Sequence, residues 1–140
     1  MIRVVIDTNV LVSALVSRDG PNAQVLNLVL AGSIRPCVSD ELLKEYRAVL
    51  RRPKFRGLSA LHIDALISLL DKLSLKVTPS VRLSVSHDEP DNRVYECADA
   101  ARAHYIVTGN RKHFPTPYRS VEVVSARQLL DLLAVTDKSY

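Results

Sequence analysis

The chain has 140 residues, 47% hydrophobic and 24% charged, a globular composition that excludes a disordered polymer. With 19 basic and 15 acidic residues the net charge is +4, a mild excess compatible with a phosphate-bearing partner. No apolar run approaches the ~20 residues of a membrane span. Asp7 interrupts the apolar start, so no secretory leader is expected and a cytoplasmic setting is. Cys37 and Cys97 lie far apart and form no C-x-x-C motif, which argues against a disulfide framework or a zinc site. Two buried, reduced thiols are expected.

The β-branched run Ile2 to Ile6 predicts a buried strand closed by Asp7. Val10 to Val16 predicts a helix stopped by Asp19-Gly20-Pro21, and Asn22 to Leu30 a second helix with Ala31-Gly32 as its stop. Ile34 to Val38 predicts another strand, weakened by Pro36. Ser39 is placed to cap a helix to about Arg51, with Asp40 and Glu41 at its positive end. Ser59 to Ser74 predicts an amphipathic helix with Leu61, Leu66, Ile67, Leu70 and Leu73 on one face. Leu75 to Thr78 reads as a third strand, and the polar stretch from Pro79 to Glu89 as a loop.

Pro90 suits the first turn of a helix continuing to about Ala103. Tyr105 to Thr108 and Val121 to Val124 predict the last two strands, and Ser125 starts a helix through Leu133. Strands alternating with helices imply a three-layer α/β/α fold with a central, mainly parallel sheet. One domain is expected over residues 1–136, with a frayed tail at 137–140. In such sheets, sites form outside the carboxyl ends of the strands.

Asp7 stands at such an end, although Asp-Thr-Asn also reads as a helix cap. On the helix after Ser39, the apolar arc holds Leu42, Leu43, Tyr46, Val49 and Leu50, and Glu45 borders it. On the helix after Pro90 the arc is Val94, Tyr95, Ala98 and Ala101, and Asp91 falls inside it. An inward carboxylate at a helix start is either a cap or a ligand. Glu96 and Asp99 fall on the outer side and are expected to be solvated, while Asp88 either caps the helix or joins the site. Three converging carboxylates would repel one another. A divalent cation resolves that repulsion, and all-oxygen donors favour Mg²⁺ or Mn²⁺ over zinc. Such chemistry hydrolyses phosphodiesters without a Ser or Cys nucleophile, and neither a G-x-S-x-G motif nor a P-loop is present.

The chain resembles PIN-domain proteins, in particular the bacterial and archaeal toxin components of toxin–antitoxin systems related to VapC toxins. The resemblance opens with Val4-Val5-Ile6-Asp7-Thr8-Asn9-Val10-Leu11 and continues with Val38-Ser39-Asp40-Glu41-Leu42-Leu43-Lys44-Glu45. Arg52-Pro53-Lys54-Phe55 also fits. The third segment is Asp88-Glu89-Pro90-Asp91-Asn92-Arg93-Val94-Tyr95-Glu96-Cys97-Ala98, leading into Tyr105-Ile106-Val107-Thr108-Gly109-Asn110. It implies a PIN-like fold and an endoribonuclease using Mg²⁺ or Mn²⁺ to activate water, leaving a 5′-phosphate and a 3′-hydroxyl. Asp7, Glu45 and Asp91 match the first three acids of the family. The fourth acid is Asn110 here, which offers a carbonyl oxygen but no charge; Asp88 is a candidate substitute.

Thr8 and Asn9 are expected to orient Asp7 or a metal-bound water, and Asn92 to do likewise. Arg111 and Lys112 are expected to meet RNA phosphates, with the Arg51 to Arg56 cluster a weaker candidate and His113 a packing residue as readily as a contact. The resemblance also implies a small antitoxin partner and a homodimer. An alternative remains on the strength of Asn110: a PIN scaffold that binds RNA or protein without cutting. A haloacid-dehalogenase-type phosphatase is disfavoured, because position 9 is Asn where that family needs a second Asp.

Overall fold

The computed structural model describes residues 1–53, 57–86, 89–110, 114 and 118–137. Strand β1 (Arg3–Ile6) is followed by helices α1 (Thr8–Val16) and α2 (Pro21–Leu30), and then by β2 (Arg35–Val38). Helices α3 (Asp40–Leu50) and α4 (Ala60–Leu73) lead to β3 (Leu75–Lys76). The chain ends with α5 (Glu89–Ala101), β4 (Tyr105–Val107), β5 (Glu122–Val124) and α6 (Ala126–Asp137). The five strands form one sheet in the order β3-β2-β1-β4-β5, every pair parallel. With the six helices this makes a three-layer α/β/α fold, as expected from the alternation of strands and helices.

Local chemistry explains where the elements stop. Gly32 adopts φ +77, and its N–H bonds back to Val29 O while Ser33 N–H reaches Leu28 O. This is the left-handed helix ending that glycine permits at low cost. Ser39 Oγ accepts from Leu42 N–H at 3.1 Å, capping α3. Ser125 and Gln128 cap α6 reciprocally: Gln128 N–H donates to Ser125 Oγ, and Ser125 N–H donates to Gln128 Oε1. That helix runs past Leu133 to Asp137, while residues 138–140 lie outside the described residues.

Three expectations need correction. Pro36 does not weaken β2 in practice, because β3 pairs only with Cys37 and Val38 and asks nothing of the Pro36 nitrogen. β3 itself is two residues long; Val77 N–H adds a last bond to Val38 O at 2.9 Å before Pro79, which has no N–H to give. Leu61 is 76% exposed, whereas α4 buries Ile67 and Leu70 as expected and Ile63 in addition. Two residues before Ile63, Leu61 lies about 160° round the helix from it.

The core is contiguous and dominated by the central strands: Val4, Val5, Ile106 and Val107 are fully buried. Helix α5 packs against β1, β2 and β4 and against α3, so it is enclosed over much of its circumference. Cys37 and Cys97 are both buried and reduced. Burial pushes the Cys37 thiol up to about 11, opposed by Arg3 and then Arg35, and raises the Cys97 thiol further. No helix among the described residues is long and apolar enough to cross a membrane.

Candidate active site

β1 and β4 are neighbours in the sheet although two strands and five helices separate them in the chain. Strand order reverses between them, and parallel α/β sheets bind ligands outside the carboxyl ends at such a point. Asp7 leaves β1 here and Thr108 leaves β4. Asp7 N–H donates to Val107 O at 2.9 Å, and the Thr108 hydroxyl donates to Asp7 Oδ2 at 2.9 Å. Both residues are buried. Asp7 is also the N-cap residue of α1, yet its carboxylate makes no capping bond. The capping explanation of Asp-Thr-Asn therefore does not account for this side chain.

Glu45 reaches the same edge from α3 and is half-buried. The Thr8 hydroxyl donates to its Oε2 at 2.5 Å, so Thr8 orients Glu45 rather than Asp7. The next residue, Tyr46, donates from its phenol to Ile6 O at 2.5 Å and locks α3 to the last residue of β1. Burial raises the Tyr46 pKa well above its ordinary value, with further contributions from Cys97, Asp7 and Glu45. The phenol thus stays a neutral donor. Asn110 N–H donates to the Thr108 hydroxyl at 3.1 Å, so one hydroxyl joins Asp7 to the turn that carries Asn110.

Asp91 sits in the first turn of α5 and is half-buried. Beside it, Asn92 is buried and closes a ring with Ser86: its Oδ1 accepts from Ser86 N–H at 2.7 Å, and its Nδ2 donates to Ser86 O at 3.0 Å. Asn9 is exposed on α1. Asp88, Arg111, Lys112 and His113 lie outside the described residues, as do Lys54, Phe55 and Arg56.

Asp7, Thr8, Glu45, Thr108 and Asn110 therefore form one linked group, while Asp91 arrives on a separate helix. Among the described residues, no three His, Cys, Asp or Glu side chains make a ready-made metal cage. The donor chemistry nevertheless suits a hard divalent cation: carboxylate oxygens from Asp7, Glu45 and Asp91, and the Asn110 amide oxygen. Thr108 and Tyr46 stand in the sequence only as a strand end and a core residue. A usable signal existed for Tyr46, since a buried phenol must find an acceptor.

Glu96 overturns the expectation of a solvated side chain: it is 2% exposed. The stretch after β3 lies against that side of α5, and Leu83 N–H donates to Glu96 Oε2 at 2.8 Å. Arg93 donates to the same oxygen at 2.7 Å, and Arg82 to the other at 3.4 Å. Asp99, expected to be solvated too, is only 22% exposed at its side chain and meets Arg119 at 3.2 Å. A groove of about 300 Å³ lies elsewhere, between α3 and α4, lined in part by Asp40, Lys44, Arg47, Asp71 and Lys76. Its charges largely answer one another, with Lys76 at 2.9 Å from Asp40 and 3.5 Å from Asp71.

Fold and site together define a parallel α/β protein in which hydroxyls hold Asp7 and Glu45 at the switch point of the sheet. A PIN-domain family model matches residues 3–112, and the chain belongs to the PIN-domain family. PIN domains are generally nucleases, and those nucleases generally use divalent metals. An uncharacterized protein of Methanocaldococcus jannaschii is 31% identical over 112 residues, covering 79% of this chain and 72% of its own length. Among solved structures, the fold is similar to a chain in the VapBC2 complex of Rickettsia felis, crystallised bound to a DNA fragment from their promoter. That likeness has a TM-score of 0.56 at 17% identity and covers 87% of this chain and 98% of the other.

Proposed function

We propose that this PIN domain, spanning residues 1–136, is a metal-dependent endoribonuclease and the toxin of a toxin–antitoxin pair. The observation that carries the reading is the hydroxyl-linked group at the β1–β4 edge. Thr108 holds Asp7 and Thr8 holds Glu45, two positions that match family acids. Asp7, Glu45 and Asp91 would hold Mg²⁺ or Mn²⁺, with the Asn110 carbonyl as a further donor and Asp88 as a candidate substitute for the fourth acid. Bound there, such an ion lowers the pKa of water and offsets charge on phosphoryl oxygens.

The chain's own contribution is orientation. Thr108 restrains one carboxylate, Thr8 the other, and Tyr46 holds the helix that carries Glu45 against β1. RNA phosphates would be met by Arg111 and Lys112, next to the Asn110 turn. The structural neighbour from a VapBC complex supports an antitoxin partner, and a homodimer accompanies that reading.

Asn110 favours one second reading, a PIN scaffold that binds without cutting, because the fourth acid is neutral here. A single assay separates the two. Labelled single-stranded RNA is incubated with wild type, Asp7→Asn and Asp91→Asn in Mn²⁺, Mg²⁺ or EDTA. Cleavage that needs metal and both carboxylates is expected. Retained RNA binding with no cleavage under any condition would transfer the conclusion to the scaffold, and equal cutting by all three proteins would identify a contaminant.

A further inference from the structure

The stretch after β3, residues 77–86, touches both helices that deliver acids to the site. On one side it is fastened to α5: Leu83 N–H donates to buried Glu96, and Ser86 pairs through both backbone groups with buried Asn92, next to Asp91. On the other side it reaches α3. Arg82 Nη1 donates to Glu41 Oε2 at 3.0 Å and, with the same nitrogen, to Glu96 Oε1 at 3.4 Å. Glu41 lies four residues before Glu45, one turn away along α3. A single guanidinium nitrogen thus spans the two helices.

Glu96 itself is not free to serve as a ligand. Its oxygens accept from a backbone N–H and from two guanidinium groups. Such a carboxylate anchors structure rather than a cation, and its position on the enclosed side of α5 makes it a fixed post for Arg82 to pull against.

We propose that Arg82 is a positioning residue. By bridging Glu41 on α3 to Glu96 on α5, it sets the spacing of Glu45 and Asp91 and so the affinity of the site for a divalent cation. The inference rests on the metal-dependent reading above. It runs against simple electrostatics. Arg82 carries a positive charge bound to Glu41, one turn from Glu45, so its field alone would weaken cation binding and that of Glu41 would strengthen it. Positioning predicts instead that losing either one weakens binding.

Mn²⁺ binding by the full chain, followed by electron paramagnetic resonance of the free ion, separates the two. Arg82→Gln and Glu41→Gln are each expected to weaken Mn²⁺ binding roughly two- to fivefold, as suits exposed ion pairs. Arg82→Lys is expected to recover part of the loss. The double variant is expected to resemble Arg82→Gln alone, because both changes cut the same link. Thermal midpoints of the variants close to wild type would show that the fold is intact. Tighter or unchanged binding by Arg82→Gln overturns the proposal and leaves the metal site standing. Absence of Mn²⁺ binding by wild type itself overturns both this proposal and the metal-dependent reading.

Discussion

Two carboxylate clusters flank α3 and differ in kind. On the α4 side, Asp64 meets Arg51 at 2.5 Å and Arg47 at 3.8 Å, with all three side chains about half exposed. On the α5 side, Glu96 meets Arg93 and Arg82 with only 2% of its side chain exposed. The ion-pair distances are similar, yet the physics is not. Water screens the first cluster, so its attraction barely exceeds the entropy of holding long side chains still. In the second the acid is out of water although Arg82 is 63% exposed, so Glu96 without its partners would bear the full cost of desolvation. Distance therefore says little about importance until burial is known.

The sharpest way to break this comparison is Glu96→Ala. It is expected to cost about 2–3 kcal/mol, because Leu83 N–H and the Arg93 guanidinium lose their buried acceptor while Arg82 can turn to water. The midpoint of urea unfolding measures it; a loss below about 1 kcal/mol would put Glu96 in the same class as Asp64.

A second test uses a buried group whose uncharged form is the one the fold favours. The Cys37 thiol is raised from 9.0 to about 11 by burial, so the folded state holds its proton longer than the unfolded state does. Below pH 9 both states are protonated and nothing changes. Between pH 9 and 11 the unfolded chain ionises first, so stability falls, by on the order of 2 kcal/mol from this group. Cys37→Ala should flatten the decline measured by denaturant unfolding across that window. An unchanged slope would show that the thiol is solvated.

Tyr46→Phe removes the donor to Ile6 O and is expected to cost about 1–3 kcal/mol, since it leaves a buried carbonyl short of a partner. Nuclease activity should fall as well, because Glu45 is the neighbouring residue; full activity with lowered stability would confine Tyr46 to folding. The smallest effect belongs to the exposed cluster. Asp64→Asn is expected to change stability by less than about 1 kcal/mol and to matter less still at high salt. A larger loss would erase the contrast between the two flanks.

Much of this is legible in the sequence. β-branched runs ending at Asp7 and Thr108, the Ser39 cap and the apolar arcs of α3 and α5 all follow from local rules of side-chain direction and capping. Glu45 at the margin of its arc is half-buried, and Asp91 within its arc is too. Glu96 and Leu61 were not legible. A helical wheel assumes one buried face and one wet face, but α5 is enclosed by the sheet, by α3 and by the stretch that carries Leu83. Leu61 looked apolar enough for the core, yet the direction α4 turns depends on which neighbour it meets.

Residue chemistry and spacing are thus enough to derive a parallel α/β fold, to place Asp7 and Asp91 near element ends and to set Glu45 at the margin of its apolar arc, because strand and helix periods are local properties of the backbone. Packing across the chain decided the rest. It set Thr108 against Asp7, 101 positions apart, and Thr8 against Glu45, 37 apart. It also buried Glu96 under a stretch with no regular structure. Those contacts depend on the order in which the strands assemble and on which surfaces exclude water, and no local pattern encodes either.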